Sequence, residues 1–514
     1  MIPEPLEAKA DRMPPSTAGM TTKVVKGSLW TLAGQVAPLG VSLVTTPFTI
    51  RLLGAEGYGV LILVGLIPTY LGFADFGMSM ASTKFGSEAY AEGDEEKEGR
   101  IVRTAALIAL MTSVPVAALL IFFAGQIIGL FNVPPELSSD AVLALRLASI
   151  TFVINFLCGI FNTPQLARLR MDLNTFINAS SRILGLLATP LVLYLGYGIV
   201  GAVTVLLLAS LLNLAGHLAV AATLLPGLVR ISIEWSALFR VFRFGVGLTG
   251  AGIAFLLLSN LDKGVLPAMV SVEQLAYYSV AFTIAGLMTM FSQAMTQSLL
   301  PAFSQLSGPH NLAHGRDLFS RALRLNLIVL LPALASLAVI AEPFISFWAG
   351  KDFGKESIEP FFILLIGVLF NLPSYLPMCA IISTGRTGLL AKVYLIELIP
   401  YVAALVLFTG AWGAKGTAVA WSIRSLLDSI ILFVLAKRVT GFSPDFNRIS
   451  TVALSGLLFS IPVIMVLISG GPTFIVSSSL IVCMLLYSAI VWEKLLAREE
   501  IAWLRSRLMF FKAK

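Results

Sequence analysis

Long apolar segments recur along the whole chain, and they restrict its fold more than any other feature of the sequence. Charged and turn residues divide the 514 residues into segments of about 20–27 residues, each long enough to span a bilayer as a helix. A membrane barrel would instead show alternating segments of about ten residues. We predict an all-α, polytopic membrane helical bundle with about 14 transmembrane helices, at residues 27–50, 59–81, 102–126, 140–162, 175–196, 198–225, 241–267, 275–300, 322–346, 358–383, 388–410, 414–436, 449–469 and 473–492.

The composition excludes a soluble or disordered chain. Hydrophobic residues make up 57% of the sequence and charged residues 12%, whereas soluble domains contain about 45–50% apolar and about 25% charged residues. Cys158, Cys379 and Cys483 lie in apolar segments without paired spacing, which predicts free thiols. The sequence contains no P-loop motif and no His/Cys cluster, so we expect no ATPase activity in the chain, no metal site and no cofactor.

The basic residues are distributed asymmetrically between the loops. If the N-terminus is cytoplasmic, most of the 35 Lys and Arg residues fall on the inner side, with Arg168, Arg170 and Arg182 assigned to one inner loop. The positive-inside rule then places both termini in the cytoplasm. We predict a cytoplasmic tail at residues 1–26, of which residues 1–22 are flexible and contain no signal peptide. We also predict an amphipathic cytoplasmic tail that binds anionic lipid at residues 493–514.

A weak internal repeat divides the chain into two blocks. Residues 53–64 follow the first segment and residues 270–283 follow the seventh, and each stretch places a Glu and a Tyr at the outer start of a helix. The repeat predicts an N-lobe of helices 1–6 at residues 27–225 and a C-lobe of helices 7–12 at residues 241–436. Helices 13 and 14 follow at residues 449–492. Two blocks of six helices have the same orientation, which is the parallel-repeat plan of some transporters.

Polar side chains inside the apolar segments are candidate substrate-binding or ion-binding groups. A charge at mid-bilayer costs roughly 2.5–3.5 kcal/mol on insertion scales, so each charged side chain needs a partner or a water-filled cavity. The candidates are Gln35, Asp75, Asn260, Asp262, Lys263, Glu397, Arg424 and Asp428.

The candidates of the first seven segments each have a structural alternative. Asn260, Asp262 and Lys263 either line a cavity that binds an ion or a proton, or lie near the outer end of a helix with Lys263 at the interface. Asp75 either lines the polar interior or caps a helix or pairs with a basic loop. For Gln35 the default interpretation is a hydrogen bond between helices.

The other three candidates lie in segments 11 and 12. Arg424 and Asp428 are four positions apart, so they share a helix face and can form an ion pair. Either Arg424 binds an anionic head group while Asp428 holds it in place, or the pair only locks helix packing. Glu397, alone among apolar residues, is either a proton-coupling site or hydrogen-bonded to a neighbouring helix.

Several short motifs resemble a known family of transporters. They are Gly27-Ser28-Leu29-Trp30, Gly34-Gln35, Arg51-Leu52-Leu53-Gly54 through Gly57-Tyr58-Gly59, Asp75-Phe76-Gly77, Asn260-Leu261-Asp262-Lys263 and Glu273-Gln274-Leu275-Ala276-Tyr277-Tyr278-Ser279. On these motifs the chain resembles the polysaccharide transporters, which are Wzx-type oligosaccharide flippases of the multidrug/oligosaccharidyl-lipid/polysaccharide (MOP) superfamily.

The resemblance implies a fold and a function. The fold is two six-helix lobes in a MATE-like V around a hydrated chamber, with two extra C-terminal helices. The function is translocation of undecaprenyl-diphosphate-linked oligosaccharides across the bacterial inner membrane, without enzymatic activity. The implied partners are the lipid-linked oligosaccharide, membrane lipids, a polysaccharide polymerase and a chain-length regulator, and not nucleic acid. The family's cavity is typically cationic, and the mid-membrane cations here are Arg424, Arg146 and Lys263.

Two other functions stay open at this point. A MATE-type ion-coupled exporter of drugs or cations would need a compact set of carboxylates within one lobe, and the sequence shows few. A membrane-bound polysaccharide polymerase or ligase would need a large outer catalytic loop, and the predicted outer loops are short.

Overall fold

The protein is all-helical in the part of the chain that the structure describes. The computed structural model describes residues 17–225, 253–254, 256–306, 312–444, 450, 452, 456 and 473–495. Within these ranges, eight helices are long and apolar enough to cross a membrane, or nine if the bent pair Val272–Gly286 and Thr289–Gln305 forms one span. The chain is therefore a multi-pass membrane protein of all-α class, as predicted.

The helices follow one another with short connections. The first part of the chain contains α1 (Thr17–Tyr70), α2 (Met78–Ala91), α3 (Glu95–Phe122), α4 (Ala124–Ile128), α5 (Pro135–Phe161), α6 (Thr163–Ala167), α7 (Met171–Tyr194), α8 (Gly198–Leu224) and α9 (residues 256–269). The second part contains α10 (Val272–Gly286), α11 (Thr289–Gln305), α12 (Leu312–Trp348), α13 (Lys351–Glu356), α14 (Ile358–Ser383), α15 (Thr387–Thr440), α16 (Thr473–Ile490) and a π-helical turn at Val491–Leu495.

Two glycines divide the two longest helices. Helices α1 and α15 each contain 54 residues. Gly54 in α1 has φ 70° and ψ 179°, and Gly413 in α15 has φ 58° and ψ −134°. Glycine adopts such backbone angles readily because it has no Cβ. The predicted boundaries between segments 1 and 2 and between segments 11 and 12 fall at these two bends.

The predicted helix at residues 59–81 is wrong in its second half. A 3₁₀ turn at Gly72–Asp75 and positive φ angles at Phe76 (43°) and Gly77 (69°) separate α1 from α2. A continuous α-helix has negative φ throughout, so it cannot pass through these residues. The predicted inner loop at residues 82–100 is mostly helical, because α2 and α3 occupy most of it.

The chain forms two compact units, Met1–Ala276 and Tyr277–Lys514. The boundary falls inside α10, so α9 belongs to the first unit. The core of the first unit contains fully buried side chains of α1, α5 and the start of α10, such as Val60, Leu145 and Val272. The core of the second unit contains an aromatic cluster in which Phe303, Phe319 and Phe442 pack together.

Some predictions fall wholly or partly outside the described residues. They concern the N-terminal tail at residues 1–26, the beginning of segment 241–267, most of segment 449–469 and nearly all of the amphipathic tail at residues 493–514. In the N-terminal tail, residues 17–26 are described and belong to α1, so residues 17–22 are helical where a flexible tail is predicted.

Candidate functional site

The bend in α15 brings distant charged residues together in the second unit. Near the bend, the hydroxyl groups of Thr409 and Thr417 form a 2.9 Å hydrogen bond. Residues eight positions apart in a straight helix are about 12 Å apart, so the two halves of α15 fold back on each other. As a result Glu397, on the first half, interacts electrostatically with Arg424 and Asp428 on the second.

The carboxylates of this cluster are buried in apolar surroundings. Glu397 is 6% exposed and Asp428 is 7% exposed. Among the described residues, no N–H or O–H group donates to either carboxylate oxygen of Glu397 or to Oδ1 of Asp428, and the two carboxyl groups lie within hydrogen-bonding reach of each other. A buried oxygen without a partner costs free energy. The cluster can therefore accept a proton, a cation or water, each of which would satisfy these oxygens.

The predicted ion pair between Arg424 and Asp428 is not formed. In the part of the chain that the structure describes, the guanidinium carbon of Arg424 instead lies 5.2 Å from the ring centroid of Tyr401. This is a cation–π contact, and the Nε atom of Arg424 has no hydrogen-bond partner among the described residues. Sharing a helix face permits an ion pair but does not enforce it, because the aromatic ring offers an alternative position for the guanidinium group.

In the first unit, two of the candidates lie inside the helix packing. The hydroxyl group of Tyr70 donates a 2.5 Å hydrogen bond to the carbonyl oxygen of Asn260. Asn260 Nδ2 donates to the carbonyl oxygen of Leu256 at 3.2 Å. Asp262 is fully buried and interacts electrostatically with Tyr70, whereas Lys263 is half-buried. These contacts join the end of α1 to α9.

Asp75 and Gln35 lie apart from these clusters. The carboxylate of Asp75 accepts hydrogen bonds from the backbone N–H of Ser79 at 3.3 Å and from its hydroxyl group at 3.2 Å. These bonds cap the first turn of α2. Gln35 is exposed on α1. Within the described ranges, no hydrogen bond or ion pair joins either residue to another candidate.

A buried polar network in the first unit is not identified by the sequence analysis. His217 is fully buried, with Nδ1 3.2 Å from Gln165 Oε1 and Nε2 3.4 Å from Asn178 Oδ1. Asn213 Nδ2 donates to the same Asn178 oxygen at 3.2 Å. The signal in the sequence is the spacing, because Asn174 and Asn178 are four positions apart on α7, as Asn213 and His217 are on α8.

A buried ion pair connects three helices of the first unit. Arg168 Nη1 and Nη2 lie 2.6 Å and 3.1 Å from the two carboxylate oxygens of Glu98, whose side chain is fully buried. Arg168 also donates to the carbonyl oxygens of Pro164 and Leu224 and stacks over the ring of Tyr90 at 4.5 Å. The pair therefore joins α3, α6 and the end of α8.

The position predicted for Arg182 is wrong. Arg182 does not lie in an inner loop but in the middle of α7, where it is exposed. Arg146 is likewise exposed in the middle of α5. The predicted segment 5 agrees with α7, because apolar residues recur along it. Arg182 is wrongly assigned to a loop because it is grouped with the nearby loop residues Arg168 and Arg170. In the described part of the first unit, Arg146 and Arg182 are therefore exposed arginines in the middle of helices.

Each unit also contains a cavity. The cavity of the first unit has a volume of about 360 Å³, and Thr69, Thr151 and Asn155 contribute polar groups to its lining. The cavity of the second unit has a volume of about 750 Å³ and is lined mostly by apolar side chains, with Lys437 among them. In the described part of the chain, no group of three or more His, Cys, Asp or Glu side chains could hold a metal ion.

A comparison with known proteins identifies the family of this chain. A model of the polysaccharide biosynthesis protein family matches residues 49–357, more than half of the chain. The chain belongs to this family. A protein of Shigella flexneri named a putative O-antigen transporter is 23% identical over 422 residues, which cover 81% of this chain and 98% of that protein. The uncharacterized membrane protein EpsK of Bacillus subtilis (strain 168) is 24% identical over 417 residues, which cover 77% of this chain and 80% of EpsK.

Solved structures show the same fold. The lipid II flippase MurJ, in an inward closed conformation, matches with a TM-score of 0.69 at 16% identity, covering 92% of this chain and 99% of MurJ. An inward-facing multidrug resistance MATE family transporter of the MOP superfamily matches with a TM-score of 0.61 at 13% identity, covering 79% and 98%. The family model confirms the predicted resemblance to a polysaccharide family, and the solved structures confirm the predicted helical fold shared with MurJ and MATE transporters.

Proposed function

We propose that the protein is a flippase for undecaprenyl-diphosphate-linked oligosaccharides in the bacterial inner membrane, acting in surface polysaccharide biosynthesis. It works by alternating access, opening its polar interior to one side of the membrane at a time, and it catalyses no covalent step. Both termini are cytoplasmic, which the distribution of basic residues supports. The family and the transporter relatives support the general activity.

One observation carries this proposal, namely the charged cluster inside the second unit. A sugar diphosphate cannot cross about 30 Å of hydrocarbon unaided, so its carrier must hold polar groups at membrane depth. Glu397, Arg424 and Asp428 form such a group, in which two neighbouring carboxyl groups receive no hydrogen bond from an N–H or O–H donor of the described residues. In our proposal Arg424 contacts the anionic head group, and Glu397 with Asp428 takes up a proton or cation that couples transport.

The remaining candidates divide into two groups. We assign Asp75 and Asn260 to helix capping and helix packing, because the hydrogen bonds described above occupy them. We assign Asp262 to helix packing because it is fully buried. Gln35 and Lys263 remain proposed groups of the polar interior. The transported units would then be consumed by a polymerase, whose products a chain-length regulator limits.

Deleting the protein is expected to abolish surface polysaccharide and to make lipid-linked repeat units accumulate on the inner leaflet, because the sugar diphosphate has no other path across the membrane. The measurement is extraction of lipid-linked sugars, with their leaflet determined by an impermeant sugar-oxidising reagent in intact cells. Restoring the gene on a plasmid is the control. Normal surface polysaccharide in the deletion strain would refute the proposed function.

Replacing Arg424 with alanine or Glu397 with glutamine is expected to lower transport about tenfold or more while the protein still folds. A charge-assisted hydrogen bond contributes about 1.5–3 kcal/mol, and about 1.4 kcal/mol is a tenfold effect. Glu359→Gln is the matched control, because Glu359 pairs with Lys415 on an exposed surface of the same unit. Unchanged transport in Arg424→Ala, with polysaccharide export measured at equal protein level, would assign that residue to packing alone.

A MATE-type exporter of cations is the second candidate function. It is favoured by the two buried carboxylates that the bend of α15 brings together in one unit, Glu397 and Asp428. The fold likeness to MATE transporters agrees with it. The deletion strain separates the two functions, because loss of an exporter would raise sensitivity to cationic drugs and leave surface polysaccharide unchanged.

A further inference from the structure

Arg182 is exposed although it lies on the packed side of α7. Seven positions along a helix bring a side chain back to within about 20° of the same direction. Thr175 and Thr189, seven positions before and after Arg182, are both buried, at 9% and 8% exposure. Arg182 itself is exposed. An open space therefore interrupts the packing along this side of α7, about halfway along the helix.

The exposed apolar side chains of α7, which would face lipid, lie on a different side of the helix from Arg182. They form one stripe, made of Phe176, Leu184, Leu187 and Leu191. Leu184 is two positions from Arg182, which corresponds to a turn of about 200°. Arg182 thus points away from the apolar stripe and toward the interior of the unit. Charged residues inside membrane helices face the bundle interior or a water-filled cavity in this way.

The described helices that pack against α7 offer Arg182 no counterion. Helix α1 contacts α7 where Gly34 meets Thr175, and α8 contacts it where Gly185 meets Ala209. Helix α8 contains no acidic residue, α7 contains none after its first turn, and Glu56 is the one acidic residue of α1. Within the described ranges, Arg182 forms no hydrogen bond or ion pair. No carboxylate of the described helices balances its charge, so the guanidinium group is open to water or to an anionic ligand.

A row of amide side chains leads along α7 to this arginine. Asn174, Asn178 and Arg182 follow one another at intervals of four positions, over about 12 Å of helix. Asn178 Nδ2 donates to the backbone and side-chain oxygens of Asn174 at 2.8 Å and 3.0 Å. Asn213 of α8 adds a third amide, whose Oδ1 has no hydrogen-bond partner among the described residues. Amide groups at this depth can replace the hydrogen bonds that a polar ligand makes to water.

We propose that Arg182 binds the diphosphate of the lipid-linked substrate inside the first unit, and that the asparagine row forms the polar path to it. The identity of the anion rests on the proposed function, whereas the site itself rests on an exposed guanidinium group that has no counterion among the described residues. A guanidinium group suits this ligand because its planar fork of N–H donors matches phosphate oxygens in pairs. This site lies in a different unit from the cluster around Arg424.

The test is binding by the purified full-length protein in lipid nanodiscs, with undecaprenyl diphosphate and inorganic pyrophosphate as the two probes. Arg182→Gln is expected to weaken binding of undecaprenyl diphosphate about tenfold or more. Arg182→Lys should lose less, because it keeps the charge but not the fork. Arg170→Gln is the matched control and should bind as the wild type does, since Arg170 pairs with Asp172 at the start of the same helix.

The unfolding temperature of each variant separates binding from packing. Removing an uncompensated charge from mid-bilayer should leave the stability of Arg182→Gln equal to that of the wild type or higher. A clear loss of stability would assign Arg182 to packing and overturn the inference. So would binding of undecaprenyl diphosphate by Arg182→Gln within twofold of the wild type. Inorganic pyrophosphate that binds as tightly as the lipid would overturn the lipid as the source of the anion.

These outcomes are distinguishable from failure of the proposed function. If the deletion strain loses surface polysaccharide while Arg182→Gln binds normally, only the site at Arg182 is wrong. If the deletion strain exports polysaccharide normally, the proposed function fails, whatever Arg182 binds.

Discussion

Replacing Arg168 with methionine is expected to destabilise the first unit by about 3–5 kcal/mol, because it leaves a buried carboxylate without its partner. The side chain of Glu98 is fully buried and receives two hydrogen bonds from Arg168. Methionine keeps most of the length and apolar contact of the arginine side chain. The loss of stability therefore measures the effect of the missing charge and hydrogen bonds. The contacts with Pro164 and Leu224 disappear in the same variant.

Arg170→Met is the matched control for this prediction. Arg170 lies two positions after Arg168 and pairs with Asp172, but the side chains of Arg170 and Asp172 are 50% and 38% exposed. An exposed ion pair contributes at most about 1 kcal/mol. The measurement is the unfolding temperature of both purified variants in the same detergent. Equal losses in the two variants would show that burial of Glu98 does not decide the energy of its pair.

A double variant isolates the role of the unpaired charge. In Glu98→Leu/Arg168→Met both charges are absent, and the stability should recover most of what Arg168→Met alone loses. Replacing both members of a buried ion pair by apolar side chains is often neutral, whereas removing one member is not. A double variant as unstable as Arg168→Met would indicate that the lost packing of Arg168 causes the effect.

Replacing Gly59 with alanine is expected to be the second strongly destabilising change, with a cost of about 1–3 kcal/mol or more. A Cβ atom at Gly59 would lie 1.8 Å from the carbonyl oxygen of Val272 and 2.6 Å from its carbonyl carbon. Both atoms belong to the backbone, so no side-chain rotation removes the clash. The start of α10 would have to move away from α1, which would open the core around Val60.

Gly65→Ala is the control, since Gly65 lies six positions further along the same helix. Nothing lies within 4 Å of a Cβ atom built at Gly65. Alanine there should be neutral or stabilising by up to about 1 kcal/mol, because it lowers the conformational freedom of the unfolded chain. The yield of monodisperse protein on size exclusion and the unfolding temperature measure both variants. An equally stable Gly59→Ala would contradict the close approach of the two backbones.

Much of the helical layout is predictable from hydropathy. The predicted segment at residues 358–383 coincides with α14, and the predicted boundaries on both sides of Gly54 and Gly413 coincide with bends. The helix break at Phe76 is not predicted, because the apolar pattern continues through it. The positive φ angle of Phe76 is a property of the backbone, which the hydropathy pattern does not reveal.

The candidate site is less predictable than the helices. The sequence identifies Glu397, Arg424 and Asp428 as unusual, since each is a charge in an apolar segment, but it favours an ion pair that does not form. It overlooks His217 and its partners, because neutral polar side chains in membrane helices are common and carry a weak signal. It places Arg182 in a loop, because nearby basic residues dominate the local charge pattern.

The sequence by itself determined that the chain crosses a membrane many times and which family it belongs to. Both follow from properties local to short stretches, since the cost of placing each residue in hydrocarbon depends on that residue and its helix. Only the tertiary structure decided which polar groups meet. Glu98 and Arg168 are 70 positions apart, and Gln165 and His217 are 52 apart. Their contacts arise from the packing of separate helices, which no local pattern specifies.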